Sequence, residues 1–162
     1  MTKPISRWPV PEVADLPEDL RARILEVQAK AGFVPNVFLA FAHRPAEARA
    51  FFDWHDALML RDSPTLSRAE REMIIVATSA ANDCLYCVVA HGALLRVYAK
   101  QPLLADQVAV NYLKADITER QRAMLAFALK VCKDSGALVE ADYAALRGHG
   151  FSDDDIWDIG AI

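Results

Sequence analysis

The chain has few of the features that mark secreted, membrane-spanning or disordered proteins. Three cysteines in 162 residues are too few and too unevenly spaced for a disulfide scaffold. No apolar run approaches the roughly 20 residues that a spanning helix needs. The uncharged stretches Met73–Asn82 and Cys84–Leu95 are both far shorter, and Asp83 divides them. A basic excess is missing too: the net charge is −4, which leaves no field for nucleic acid or an anionic membrane. Six glycines and eight prolines serve only as punctuation, with no internal repeat and no low-complexity segment. Period-two β-branched runs are absent, since Met73-Ile74-Ile75-Val76 sits inside a longer helical pattern. The first nine residues, Met1 to Pro9, contain no signal-peptide core, so a cytoplasmic location is expected.

What remains is a chain that is 54% hydrophobic, enough apolar surface to offset the entropy of ordering one domain. The pattern predicts a single all-α domain over residues 1–162, with residues 1–15 as an N-terminal arm. The first helix is expected over Leu16–Ala31, capped by Asp15 and stopped by Gly32. A short apolar helix follows at Val37–His43, and Pro45 opens another that runs to about Leu60. Ser67-Arg68-Ala69-Glu70 reads as a capping box for Arg68–Ala81, and Asn82-Asp83 separates it from Cys84–Lys100. Pro102 opens a helix to Leu113, Asp116 and Glu119 cap Ile117–Lys133, and Val139–Arg147 is short. The final helix starts strongly at Ser152-Asp153-Asp154-Asp155 and is still apolar at Ile162. It reads as cut short, or as docked on the body or on a neighbour.

Chemistry concentrates in Cys84-Leu85-Tyr86-Cys87-Val88-Val89-Ala90-His91. On a helix Cys84, Cys87 and His91 share a sector of about 60°, and the two cysteine Cα atoms lie about 5 Å apart. That spacing suits a disulfide, and Cys87 and His91 form an i, i+4 pair. Free amides and the dipole of a first helical turn favour a thiolate. The dipole slightly favours Cys84 as the more acidic thiol, whereas the contact with His91 favours Cys87. Glu72 is a lone carboxylate at the edge of an apolar helix, where unpaired burial is costly. If the two helices fold back on each other, it reaches the thiols or His91 and can shuttle protons.

Blander readings stand beside this one. The cysteines form a buried structural pair, or they bind zinc together with His91 and either Glu72 or His55. Cys132 reads as a core residue, His43 and His55 as surface or capping groups, and His149 as a loop residue. Tyr86 either lines the site or merely packs.

Glu72 followed by Cys84-x-x-Cys87-x-x-x-His91 resembles the signature of the alkylhydroperoxidase D (AhpD) family, within the carboxymuconolactone decarboxylase-like superfamily. Gly32-Phe33-Val34-Pro35-Asn36, Tyr86 and Ile156-Trp157-Asp158-Ile159-Gly160 resemble its peroxidase-related branch. The resemblance runs from about Leu16 to the end of the chain. It implies an all-helical subunit in a dimer, trimer or hexamer, and a thiol peroxidase that needs no metal, flavin or heme. Cys87 would attack a hydroperoxide, Cys84 would resolve the sulfenic acid as a disulfide, and Glu72 with His91 would relay protons. The electron donor would be a thiol or dithiol, in the family's best-known members a lipoylated protein. The chain departs from that pattern at Tyr86, where those members carry a histidine. Two rivals remain: a decarboxylase-like enzyme of the same superfamily, and a non-enzymatic redox-sensing or zinc-holding helical oligomer.

Overall fold

The computed structural model describes residues 4–162, so Met1–Lys3 of the expected arm lie outside the described residues. Among the described residues are nine α-helices and no strand. The chain divides into two compact units, Met1–Ala57 and Leu58–Ile162.

In the first unit, α1 (Glu18–Ala31), α2 (Asn36–Ala42) and α3 (Pro45–His55) follow a single 3₁₀ turn at Val13–Asp15. Asp15 belongs to that turn and does not cap α1, whose N-cap is Pro17. Proline offers no side-chain acceptor there, and Pro17 lends only its carbonyl, which takes the Arg21 amide at 2.9 Å. Gly32 ends α1 as expected. Its φ of 80° is the left-handed conformation that a residue without Cβ adopts freely, and its amide donates to the Gln28 carbonyl. Two small apolar clusters hold this unit, Leu16, Ile24 and Ala42 in one and Leu20, Ala48 and Phe52 in the other. Phe38 packs against both.

α3 ends at His55 rather than at Leu60, and a wider π-type turn occupies Asp56–Leu60. The second unit then contains α4 (Arg68–Ala81), α5 (Leu85–Ala99), α6 (Leu104–Asn111), α7 (Glu119–Asp134), α8 (Glu140–Gly148) and α9 (Asp153–Ala161). α4 is its axis. The helix packs most extensively along α5 and also touches α6 and α7. Met73, Ile74, Val76 and Ala77 enter one core with Leu95, Val108, Met124, Leu125 and Ile159.

Sequence capping signals set several of these boundaries. Ser67 Oγ accepts the Glu70 amide while the Glu70 carboxylate accepts the Ser67 amide, the reciprocal box expected for α4. Ser152 and Asp155 form a second such box at α9. At α7 the box is Thr118 with Gln121, two residues along from the expected Asp116 and Glu119. The Asp116 amide instead donates to the Gln107 side chain. α6 begins two residues after Pro102, at Leu104.

Candidate active site

The site is built on the α4–α5 pair. Asn82 is the C-cap of α4, and Asp83 takes φ of 55°, a left-handed value that a short acidic side chain tolerates better than most. That residue reverses the chain so that α5 runs back along α4. The Cys84 amide closes the turn by donating to the Ser79 carbonyl at 2.9 Å.

This turn leaves Cys84 just outside the helix. It is the N-cap of α5, with φ −85° and ψ 86°, rather than a first-turn residue as the spacing suggested. The Cys84 side chain makes no cap hydrogen bond of ordinary geometry. Its sulfur nonetheless faces the Cys87 thiol and the amides of Cys87 and Tyr86, and these hold its pKa below that of an ordinary thiol. An N-cap sulfur receives the donors that a helix leaves unpaired.

Cys87 has the opposite environment. Burial pushes its thiol up, and the neighbouring Cys84 sulfur pushes it further in the same direction. The Ser79 side chain, across from it on α4, acts in the opposite direction and draws the Cys87 pKa down. Both thiols are free and partly buried.

Glu72 and His91 meet across the two helices. His91 Nδ1 lies 2.8 Å from Glu72 Oε2, with the acid only 4% exposed. An ionised carboxylate can only accept a hydrogen bond, so Nδ1 carries the hydrogen and a neutral ring presents its Nε2 lone pair. Of the two partners expected for Glu72, thiols or His91, the contact formed is with the imidazole. Tyr86 sits on the first turn of α5 with 43% of its surface exposed.

Two readings change. Cys132 is exposed rather than in the core, and its sulfur accepts from Asn82 Nδ2 at 3.1 Å. It lies at the end of α7, where the apolar side of the helix runs out. Among the described residues, no group of three His, Cys, Asp or Glu side chains is placed to hold a metal ion. The zinc arrangement of Cys84, Cys87 and His91 with Glu72 or His55 is therefore not assembled.

Ser79 was not singled out from the sequence. The available signal was its spacing: it lies seven residues after Glu72, two turns along the same face of α4.

The profile of the carboxymuconolactone decarboxylase family matches residues 45–102, a span that contains Glu72, Cys84, Cys87 and His91. An uncharacterized peroxidase-related protein from Ralstonia eutropha JMP134, described as an alkylhydroperoxidase AhpD core, is 72% identical. The match covers 99% of this chain and 84% of that one, with a TM-score of 0.94. This chain belongs to the AhpD-like, peroxidase-related branch of that family. A second peroxidase-related protein, from Silicibacter sp. TM1040, is 42% identical over 99% of this chain and 85% of its own, with a TM-score of 0.90. No curated protein matches the chain. Among the described residues, no helix of this AhpD-like protein is long and apolar enough to cross a membrane.

Proposed function

We propose that this AhpD-like protein is a thiol-dependent hydroperoxidase, a dithiol–disulfide oxidoreductase working through Cys84 and Cys87. The observation that carries the reading is the Glu72–His91 contact at 2.8 Å, on the helix pair that also carries the two sulfurs. The reaction balances as two thiols plus ROOH giving a disulfide, ROH and water. A cysteine thiolate attacks the terminal peroxide oxygen, the O–O bond breaks, and the departing alkoxide takes a proton. The second thiol attacks the resulting sulfenic acid, the S–S bond forms, and water leaves. His91, held by Glu72, takes and returns the protons. A thiol or dithiol then reduces the disulfide by exchange, and a lipoylated protein fits that role.

Family resemblance assigns the first attack to Cys87 and resolution to Cys84. A second reading exchanges the two, and the electrostatics of the reduced state favour it: Cys84 holds the charge more easily and Cys87 less. The two thiols titrate as a pair, so one proton shared between them can be drawn to either sulfur. Oligomer formation fits the surface of α5, where Leu85, Val89 and Val97 stand exposed in a row at helical spacing.

Hydroperoxide consumption with thioredoxin, glutathione or dihydrolipoamide as reductant tests the proposal. Turnover with at least one of them is expected, and no consumption with any would overturn it. Trapping the sulfenic acid decides the order: on Cys87 in Cys84→Ser under the first reading, on Cys84 in Cys87→Ser under the second.

A further inference from the structure

Ser79 is almost fully buried, at 9% exposure, inside the α4–α5 contact. Glu72 opposite His91 sets the register of the two antiparallel helices. Seven residues further along α4 stands Ser79, and seven residues back from His91 stands Cys84, so the serine comes level with the cysteines. The main chain agrees, because the Ser79 carbonyl takes the Cys84 amide at 2.9 Å. The neighbouring hydroxyl, that of Thr78, is spent on its own helix and donates to the Ile74 carbonyl at 2.9 Å. The Ser79 side chain, on the same level as the cysteines, favours charge on the Cys87 sulfur.

We propose that Ser79 is a positioning residue of the dithiol site: its carbonyl fixes the Cys84 amide, and its hydroxyl donates a hydrogen bond to Cys87 Sγ when that sulfur is a thiolate. The inference rests on the hydroperoxidase reading for its purpose but not for its test. Burial and the adjacent Cys84 sulfur both oppose charge on Cys87, and Ser79 is the group that counters them. It thereby makes Cys87 available, either to attack a peroxide or to leave when the disulfide is opened. A hydrogen bond to a charged sulfur is stronger than one to a neutral thiol, so the effect belongs to the reactive state.

The test is the pH profile of iodoacetamide alkylation in a Cys84→Ser, Cys132→Ser background, where Cys87 is the one thiol left. Ser79→Ala keeps the helix and removes only the hydroxyl. The midpoint is expected to move to higher pH, with the rate at pH 7 falling about three- to tenfold. Ser79→Thr, which retains a hydroxyl, is expected to restore the parent profile. A Ser79→Ala profile that superimposes on the parent's would overturn the proposal. An equal shift in both variants would also overturn it, because the effect would then come from packing. No peroxide enters the experiment, so it stands or falls separately from peroxide turnover.

Discussion

Glu70, Arg71 and Glu72 are consecutive on α4 and all three are buried, yet the two sides of the helix use their charges differently. Glu70 holds Arg120 at 2.5 Å, and Arg71 reaches Asp158 at 2.9 Å and the Leu58 carbonyl at 2.6 Å. Guanidinium partners stay charged at every relevant pH, so these pairs are clamps between α4 and the elements around it. Glu72 faces an imidazole instead, the one side chain that ordinarily gains and loses a proton near neutrality. Burial makes all three contacts specific, and the kind of partner, guanidinium on one side and imidazole on the other, is what separates them. Even the clamp is imperfect, since Arg71 Nε is buried without a hydrogen-bond partner among the described residues.

Substitutions can break this contrast from either side. Replacing both cysteines of the proposed pair, Cys84→Ser with Cys87→Ser, is expected to reduce hydroperoxide consumption to background while leaving the fold intact by circular dichroism. Glu72→Gln keeps an acceptor for His91 but removes the charge. Peroxide turnover should drop about a hundredfold while stability stays within about 1 kcal/mol. A Glu72→Gln protein that unfolds instead of slowing would erase the distinction between the two sides. On the clamp side, Arg71→Met takes one guanidinium from the Asp158 carboxylate and leaves it to Arg61, which lies at 2.6 Å. Its expected effect is a loss of about 3 kcal/mol in urea unfolding, with the Cys84 alkylation rate unchanged in the folded protein.

Smaller effects sharpen the structural half. Ser152→Ala removes one arm of the α9 capping box and should destabilise by about 1 kcal/mol in the same unfolding assay. Burial pushes the Asp155 carboxyl up, but hydrogen bonds from Thr65, Ser152 and Ser63 outweigh it and hold it below the usual aspartate range. Its contribution to stability is thus complete above an unfolded value of about 3.9 and is lost as pH falls through the lower folded value. Denaturation midpoints should fall on that acid side, and less steeply in Thr65→Val.

Much of this is legible in the residues. Ser67 with Glu70 announces α4, Gly32 closes α1, and Ser152 opens α9, because capping chemistry is local and needs no knowledge of the fold. Glu72 stands out because an isolated carboxylate in an apolar helix needs a partner. Where two signals compete within a few residues, local pattern does not choose between them: Thr118 rather than Asp116 caps α7. Long-range facts are not available to the pattern. The left-handed Asp83 moves Cys84 out of the helix, and burial sets Cys87 apart from it, so that Cys84 is the more acidic thiol, the direction the dipole alone favoured. Cys132 lies on a stretch whose periodicity suggests core, but that end of α7 stays open to solvent, and Asn82 meets its sulfur there. Ser79 acquires meaning only once α5 folds back upon α4.

The most direct test of the account counts free thiols before and after one equivalent of an organic hydroperoxide, followed by peptide mapping. Two of the three thiols should disappear, joined as a Cys84–Cys87 disulfide, with Cys132 still free. Three thiols remaining, or a disulfide that includes Cys132, would contradict it.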